Sequence, residues 1–267
     1  MAHTKELFSL QDKIAIVTGG YGLYGHSISA GLCEMGAHVI IASRNEEKCR
    51  EYAQELCRQG HSAEGMYLDL SKDDSIHSLV DQVMAKHGRI DILVNNAVDR
   101  KPMVSLDQST REKLQASVDT NLNGHILISQ AVLKHMIPVR KGSIINISSM
   151  RGLDCPHFPF YPEADYPNGQ PVTYTAEKWA LVGLTKYMAG CYGKYNIRVN
   201  CIAPGGYSSL KPGQEGSRFH KVYIEHVPLQ RWANDDDIKG PVAFLASDAS
   251  GYVTGATLVM DGGWTIW

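Results

Sequence analysis

The sequence predicts an α/β fold in which a doubly wound parallel sheet is flanked by helices on both faces. Short runs rich in Ile and Val recur along the 267 residues, and they are apolar nearly throughout instead of alternating. Strands buried on both faces have this pattern, which is typical of a parallel sheet. Segments long enough for crossover helices separate the runs. Because no repeat or Ser/Gly linker divides the chain, we expect residues 1–267 to form a single domain.

Each strand is predicted from one such run, and each helix from a stretch between runs. The predicted strands are residues 13–18 (KIAIVT), 37–43 (AHVIIAS), the weaker run 63–68, 91–95 (DILVN), 143–148 (SIINIS), 197–202 (IRVNCI) and 257–261 (TLVMD). The predicted crossover helices are residues 22–35, 46–59, 72–87, 110–136, 172–192 and 234–246.

Two long stretches break this alternation. Residues 151–171 contain five of the eleven prolines, which remove backbone donors and disfavour a preceding helix, so an ordered loop is predicted. Residues 205–228 form a second long connection, with a short helix predicted around residues 216–226. Both follow strand ends, where ligands bind in a doubly wound sheet, so we expect both to be substrate loops.

The composition argues against several functions. A formal net charge of −2 supplies no basic field, so nucleic acid is not an expected partner. No stretch approaches the roughly 18 apolar residues of a membrane span, and the first residues lack the build of a secretory signal. The six cysteines show no C-x-x-C pair, which favours reduced thiols in a cytoplasmic enzyme. The eleven histidines show no H-x-x-x-H spacing or mixed cluster, so no metal site is predicted.

A glycine-rich turn follows the first predicted strand and precedes the first predicted helix. Residues 18–25 read TGGYGLYG. Glycines let the backbone approach a pyrophosphate closely, and the helix N-terminus presents free N–H groups to that anion. The position of the turn therefore predicts dinucleotide binding. The expected contacts are Gly19, Tyr21, Gly22, Leu23, Tyr24 and Gly25.

The end of the second strand bears on the choice of cofactor. An acidic residue there would accept a hydrogen bond from a free ribose 2′-hydroxyl and favour NAD, whereas this chain has Ser43 and Arg44. A guanidinium suits a 2′-phosphate, so NADP(H) is favoured over NAD(H). The alternative is a surface arginine beside the neutral Ser43 hydroxyl, which would tolerate NAD.

Tyr174 and Lys178 are candidates for proton transfer. Four residues apart on a predicted helix, they share one face. A free phenol ionises near pH 10, so a tyrosine base at neutral pH needs roughly 4 kcal/mol of phenolate stabilisation. A lysine cation one turn away supplies much of this. The Y-x-x-x-K spacing alone is common on helix surfaces, so its weight depends on the other motifs.

Over essentially its whole length the chain resembles the short-chain dehydrogenase/reductase family, which implies a Rossmann-like fold. The resemblance is carried by motifs in matching order and spacing. Besides the glycine turn and the Tyr174/Lys178 pair they are Asp69-Leu70, Asn95-Asn96-Ala97, Thr120-Asn121-Leu122-Asn123-Gly124, Ile147-Ser148-Ser149, Arg198-Val199-Asn200 with Pro204-Gly205, and Val253-Thr254-Gly255 with Asp261-Gly262-Gly263.

The resemblance implies a role for each catalytic residue. Tyr174 would be the general acid/base, and Lys178 would lower its pKa and hold the nicotinamide ribose. Ser149, or Ser148 if the register differs, would hydrogen-bond the substrate oxygen. Asn121 would position a water in a proton relay.

The resemblance also implies further cofactor contacts. Asn95 and Ala97 would line the cofactor site, and Asp69 and Leu70 would contact the adenine. Pro204, Gly205 and Ser209 would lie near the carboxamide and phosphates, although the family usually has a threonine where Ser209 stands.

Two further departures from the family pattern bear on the substrate. The glycine turn fits T-G-x-x-G-x-x-G, which is typical of the longer sugar-nucleotide branch, while the rest follows the compact branch. The separation of Ser149 and Tyr174 exceeds the usual one by the Pro-rich stretch, whose aromatic and polar residues favour a carbohydrate or similar polar substrate. That loop could equally pack on a neighbouring subunit or shield the site.

These observations favour an NAD(P)(H)-dependent oxidoreductase that uses a tyrosine as general acid/base. It would interconvert a secondary alcohol and a ketone or aldehyde on a sugar, polyol or similar polar substrate. The alternatives are an epimerase or dehydratase on a sugar or sugar nucleotide, and a dinucleotide-binding scaffold without activity. The resemblance implies a homo-oligomer, either a dimer or the homotetramer common in the family. Its interfaces would use the predicted helices 110–136 and 172–192.

Overall fold

The computed structural model describes residues 3–158, 171–208 and 218–267. Its strands form one seven-stranded sheet in the order β3-β2-β1-β4-β5-β6-β7, with every neighbouring pair parallel. The strands are β1 (Ile14–Thr18), β2 (His38–Ser43), β3 (Ser62–Tyr67), β4 (Ile92–Asn95), β5 (Gly142–Ile147), β6 (Ile197–Pro204) and β7 (Thr257–Met260). The doubly wound parallel sheet predicted from the apolar runs is confirmed.

Helices connect these strands and cover both faces of the sheet. They are α1 (Thr4–Leu7), α2 (Leu23–Glu34), α3 (Glu46–Arg58), α4 (Asp73–His87), α5 (Arg111–Val118), α6 (Gly124–Val139), α7 (Val172–Tyr192), α8 (Arg218–His226) and α9 (Lys239–Ala246). One hydrophobic core holds buried side chains of α2, α3 and α9, and the other those of α4, α6 and α7.

Strand β1 shows how the sequence divides between these two cores. All five of its residues are buried. Ala15 and Val17 point into the core beneath α2, whereas Ile14 and Ile16 point into the core beneath α4. Because successive side chains of a strand alternate in direction, a run apolar at every position fits a strand covered on both sides.

The order of the strands fixes where a ligand can bind. The chain runs outward from β1 through β2 to β3 and then returns to β4, which pairs with β1 on its other side. The crossovers therefore diverge from the carboxyl ends of β1 and β4 and leave a crevice between them. Thr18 and Asn95, the last residues of these strands, lie at that point.

The helix predicted over residues 110–136 contains an irregular turn. A π-helical segment, Asp119–Asn123, separates α5 from α6. Single π turns inserted in α-helices occur frequently at functional sites. Here the segment carries Asn121, whose side chain is buried.

The last predicted helix, residues 234–246, begins later than expected. Helix α9 starts at Lys239, since Asp237 is drawn into an ion pair with Arg231 at 2.6 Å and accepts a hydrogen bond from the Asn234 backbone. The segment before the helix is therefore held by its own charged side chains, and the N-cap residue is Ile238.

An aromatic cluster closes the carboxyl end of the sheet. Tyr223 of α8 stacks on Trp232 and on Trp264, with ring centroids 3.9 and 4.7 Å apart. The Trp267 indole donates to the His226 carbonyl. The chain terminus thus packs on the second of the two predicted loops. None of the helices in the described residues is long and apolar enough to cross a membrane.

Candidate active site

The glycine turn lies at the crevice between β1 and β4. Gly19 has a φ of +64°, and a Cβ there would come within 2.9 Å of the Ala97 Cα atom. At Gly25 in the first turn of α2, a Cβ would overlap the Gly19 carbonyl oxygen. These contacts explain both glycines, since any side chain would push the turn away from its neighbours. Gly22 caps α2 without a side-chain hydrogen bond, which leaves the helix N-terminus open to an anion.

Arg44 lies directly after β2, as the sequence predicts. Its guanidinium forms an ion pair with Asp99 at 2.8 Å, and both side chains line the same cavity as the glycine turn. The Ser43 hydroxyl lies 3.2 Å from the Asn45 backbone nitrogen, from which it accepts a hydrogen bond. Ser43 is therefore engaged at the start of α3. The Arg44 side chain is half exposed and can turn from Asp99 toward a ligand.

Tyr174 and Lys178 share one face of α7. The Lys178 ammonium lies 5.6 Å from the centre of the Tyr174 ring and donates to the Ile147 carbonyl oxygen at 2.8 Å. The lysine is buried, and this burial lowers its pKa, although the nearby Tyr174 acts in the opposite direction. The guanidinium carbon of Arg100 lies 5.8 Å from the centre of the same ring, and Arg100 also lines the cavity.

The two serines after β5 differ in their hydrogen bonds. The Ser148 hydroxyl donates to the Lys178 carbonyl at 2.7 Å, so its proton is committed to the protein. The Ser149 oxygen accepts from the Arg151 backbone N–H at 3.1 Å, which leaves its proton available. Both line the cavity. Of the two, Ser149 has the hydroxyl proton that a substrate oxygen could accept.

Asn121 does not line the cavity but holds one of its walls. Its Oδ1 accepts from the Asp99 backbone N–H at 2.7 Å, and its Nδ2 donates to the Asp99 carbonyl at 3.0 Å. A longer bond, at 3.3 Å, joins Nδ2 to the Ser117 hydroxyl. Since both amide protons are committed, the residue could hold a relay water only through an oxygen atom. Its placement fits a positioning role for the loop that carries Asp99 and Arg100.

Asn95 and Asp69 are also placed outside the cavity. The Asn95 amide is fully buried and donates to Ser129 and Asn146, both at 2.9 Å. The next residue, Asn96, lines the cavity where Asn95 was expected. The Asn96 amide donates to the Thr18 and Gly19 carbonyls. Asp69 accepts from the backbone and hydroxyl of Ser71, and so stabilises the turn that leads to α4.

The remaining predicted residues surround one cavity of about 1030 Å³. Its lining includes Gly19, Tyr21, Gly22, Leu23, Tyr24, Ser43, Arg44, Leu70, Ala97, Ser149, Tyr174, Lys178, Pro204 and Gly205. Gly25, Asp69, Asn95 and Asn121 lie behind that lining. Ser209 and parts of both predicted substrate loops, residues 159–170 and 209–217, fall outside the described residues.

Several lining residues were not predicted. Arg100 and Lys101 follow the Asn95-Asn96-Ala97 motif, and the carboxyl end of β4 was the signal that could have identified them. Tyr207 and Tyr223 come from the second predicted loop and Trp232 lies just after it, where no sequence pattern determines which side chains turn inward.

His125 was also missed, and it supports the cofactor wall from behind. It is buried in α6, and its Nε2 lies 3.0 Å from the Ala97 carbonyl oxygen, so this nitrogen carries the proton. Burial and the nearby Lys178 cation lower its pKa to about 3. The His125 ring is therefore neutral. It holds the segment after β4 in place and does not transfer protons.

The absence of a metal site was predicted from chain spacing alone. The folded chain nevertheless gathers His38, Glu64 and His87, which are distant in sequence, at the amino end of the sheet. Spacing along one segment could not reveal a group contributed by three different elements.

The fold and the cavity together define a class of protein. A glycine turn at the switch point of a parallel sheet suits the pyrophosphate of a dinucleotide. A tyrosine, a buried lysine and a serine hydroxyl share that cavity and are the groups needed to move one proton beside a reacting carbonyl. This class is the nicotinamide-dinucleotide-dependent oxidoreductases.

Comparisons with known proteins narrow the class. A family model described as enoyl-(acyl carrier protein) reductase matches residues 24–265. The chain is 35% identical over 257 residues to a 3-oxoacyl-(acyl-carrier-protein) reductase of Chlamydia muridarum, covering 95% of this chain and 98% of the relative. It is 33% identical over 264 residues to the 2-dehydro-3-deoxy-D-gluconate 5-dehydrogenase of Escherichia coli, covering 96% and 97%.

A solved structure agrees over almost every residue. The crystal structure of a gluconate 5-dehydrogenase from Burkholderia cenocepacia, in complex with NADP and tartrate, superimposes with a TM-score of 0.87 at 32% identity. The match covers 99% of this chain and all of that one. The chain belongs to the short-chain dehydrogenase/reductase family and is an NAD(P)-dependent oxidoreductase, which favours the oxidoreductase prediction over the epimerase and scaffold alternatives.

Proposed function

We propose that this enzyme interconverts a secondary alcohol and a ketone on a hydroxylated carboxylic acid of the sugar-acid class, with NADP(H) as the preferred cofactor. The observation that carries the proposal is the position of Arg100 and Lys101, which line the same cavity as Ser149 and Tyr174. A substrate carboxylate can pair with a guanidinium while its hydroxyl group meets the serine and tyrosine hydroxyls.

The groove has the features that a nicotinamide dinucleotide requires. The pyrophosphate would bind at the open N-terminus of α2, where the close approach of Gly19 and Ala97 leaves no space for side chains. Leu70 and Ala97 would hold the adenine half, and Pro204 and Gly205 the nicotinamide half. The bound nicotinamide ring would supply the hydride chemistry.

The catalytic residues then act together in the transfer of one proton. Tyr174 exchanges it with the substrate oxygen, and Ser149 holds that oxygen through its available hydroxyl proton. Lys178, held by the Ile147 carbonyl, faces the tyrosine ring and the ribose site. Asn121 acts indirectly, because it fixes the backbone of Asp99 next to Arg100.

The preference for NADP(H) rests on the residues after β2. The last residue of the strand and the one directly after it, Ser43 and Arg44, carry no carboxylate. The Arg44 guanidinium, which lines the cavity, can exchange its partner Asp99 for a 2′-phosphate. The Burkholderia gluconate 5-dehydrogenase was crystallised with NADP and tartrate, a cofactor and a hydroxylated acid of the proposed kinds.

The test is a kinetic panel with the purified enzyme. Sugar acids, neutral sugars, polyols and 3-oxoacyl thioesters are each assayed with NAD(H) and NADP(H), by following nicotinamide absorbance. We expect the highest kcat/KM for a sugar acid with NADP(H). In the Arg100→Ala variant KM should rise for the acid but not for a neutral polyol, while the matched surface variant Arg50→Ala should change neither.

Two results would contradict the proposal. Preference for a 3-oxoacyl thioester over every sugar acid would assign the enzyme to acyl reduction, the activity named for its Chlamydia relative. Conversion of a sugar without net change in nicotinamide absorbance would indicate an epimerase or dehydratase.

A further inference from the structure

A second cluster of chemically capable side chains lies far from the proposed active site. His38 is the first residue of β2, Glu64 lies in β3 and His87 is the last residue of α4. The active site is built at the carboxyl ends of the strands, whereas His38 begins its strand at the amino end. The β2–β3 register pairs Ile40 with Glu64, so His38 and Glu64 face the same side of the sheet, which is the side covered by α4.

The geometry of this cluster suits a small cation. The Nε2 atoms of His87 and His38 lie 2.6 and 3.3 Å from the same Glu64 oxygen, Oε1. All three atoms lie within 4.8 Å of one another. Two ligands each about 2.1 Å from a tetrahedral zinc ion are separated by about 3.4 Å, so only small shifts would be needed. The three side chains are between 14% and 23% exposed, which leaves a path to solvent.

A neighbouring hydroxyl orients one of the imidazoles. The Ser62 oxygen lies 2.7 Å from His38 Nδ1, the ring nitrogen that faces away from Glu64. If it accepts the Nδ1 proton, the Nε2 lone pair points into the cluster, which is the arrangement usual for metal-binding histidines. Strand register places this hydroxyl, because Ser62 pairs with His38.

One cation competes for the carboxylate. Lys86 forms an ion pair with the second oxygen of Glu64. Its side chain is 62% exposed, so it can move into solvent at little cost when a stronger cation arrives.

We propose that His38, Glu64 and His87 form a zinc-binding site that ties β2, the edge strand β3 and the end of α4 together. Two imidazole nitrogens and one carboxylate oxygen are ligands of the type Zn²⁺ selects, and solvent completes its coordination. Mg²⁺ prefers oxygen ligands and an octahedral shell, so it is not expected to bind here. The site is independent of the oxidoreductase activity.

The test is calorimetric titration of the untagged, chelator-treated full-length enzyme with ZnCl₂. We expect saturable binding of one ion per chain and a rise in Tm with zinc but not with MgCl₂. Glu64→Gln and His87→Ala should each weaken zinc binding at least about tenfold. His77→Ala is the matched control, because it removes an exposed histidine from the same helix and should bind zinc like the wild type.

Two further variants separate coordination from ordinary ion pairing. Lys86→Gln should tighten zinc binding, since it removes the competing cation, and Ser62→Ala should weaken it by about tenfold because the His38 ring loses its orienting partner. Retained NADPH oxidation in each variant shows that it is folded. Binding that survives unchanged in both Glu64→Gln and His87→Ala, or wild-type protein that takes up no zinc, would overturn the proposal.

Discussion

Two cations flank the ring of Tyr174 in the cavity. The Lys178 ammonium and the Arg100 guanidinium lie 5.6 and 5.8 Å from its centre. Their charges favour the site for an oxygen that becomes negative during the reaction. The phenol hydroxyl is the group that the proposed mechanism uses to exchange the proton, and it can be removed without changing the ring.

Tyr174→Phe should therefore lower kcat by about 10²–10⁴-fold, the usual contribution of general acid–base catalysis. Affinity for NADPH, measured by titration of its fluorescence, should stay close to that of the wild type. Tyr252→Phe is the control, since the Tyr252 side chain is fully exposed and does not line the cavity, so loss of its hydroxyl should not affect turnover. Turnover of Tyr174→Phe at the wild-type rate would refute the assigned role.

Arg44 allows a test of the preference for NADPH over NADH. Replacing it with alanine removes the proposed partner of the 2′-phosphate, and a hydrogen bond to a charged group contributes about 1.5–3 kcal/mol. The Arg44→Ala variant should lose about tenfold or more in kcat/KM for NADPH and little for NADH.

Asp99→Asn tests the same interaction from its other side. This substitution removes the charge that holds Arg44 at 2.8 Å but keeps an oxygen for the Lys101 backbone N–H. It should lower KM for NADPH and leave KM for NADH unchanged. Equal losses with both cofactors in Arg44→Ala would show that the arginine does not read the phosphate.

Residue spacing predicted some of these positions better than others. The four-residue interval between Tyr174 and Lys178 places both on one helix face whatever surrounds them. At a strand end, by contrast, a shift of one residue reverses the direction of a side chain. This is why the cavity is lined by Asn96, while Asn95 lies buried below it.

At the scale of elements, a buried carboxyl group joins α5 to α7. The Ser117 hydroxyl donates to Glu177 Oε1 at 2.6 Å, and Glu177 Oε2 has no hydrogen-bond partner within the described residues. Burial raises the pKa of Glu177, although the hydrogen bond from Ser117 acts against this. The folded protein therefore binds this proton more tightly than the unfolded chain does.

This raised pKa predicts how Glu177→Gln should behave. Well below about pH 4.3 both states are protonated, and the group does not make stability depend on pH. Above that pH the unfolded chain releases the proton first, so the free energy of unfolding of the wild type falls as pH rises through the folded-state pKa. Since glutamine does not ionise, the Tm of the variant relative to wild type should increase between about pH 4 and pH 8.

Thermal unfolding followed by circular dichroism at several pH values measures this difference. Glu51→Gln, at an exposed position on α3, is the control and should give a difference that hardly changes with pH. A Glu177→Gln difference that is constant or that decreases with pH would show that the carboxyl group is ionised in the folded enzyme.

Most elements followed from the sequence because their apolar periodicity is set by burial on the sheet. The exceptions have local causes. The π turn at Asp119–Asn123 depends on Asn121 binding both backbone groups of Asp99, a contact between distant segments. The late start of α9 depends on the ion pair of Arg231 with Asp237. Such tertiary contacts leave no periodic trace in the chain.

At the scale of the whole molecule, several motifs that identified the family serve the scaffold. The Asn200 side chain joins β6 to the segment before β7, because it donates to the Val253 carbonyl and accepts from the Ala256 N–H. Asp261 accepts from the backbones of Gly263 and Thr265, which turns the chain terminus toward the aromatic cluster. These residues hold the carboxyl end of the sheet in place, and the cavity lies at that end.

One face of α7 remains uncovered and supports the expected oligomer. Trp179 and Tyr187 are 50% and 69% exposed, and Gly183 between them and Gly190 beyond them would have no atom of the described chain within 4 Å of a Cβ. Large aromatic rings beside glycines on one helical stripe favour the close approach of a second helix. An apolar surface of this kind is typical of an interface between subunits.

Trp179→Glu should therefore convert the enzyme to a smaller species, because a buried carboxylate without a partner opposes association. Size-exclusion chromatography with light scattering measures the mass, and we expect a dimer or tetramer for the wild type and a lower mass for the variant. Tyr67→Glu replaces an exposed aromatic residue at the end of β3 and should leave the mass unchanged. A wild-type monomer, or a Trp179→Glu oligomer of full size, would place the interface elsewhere or remove it.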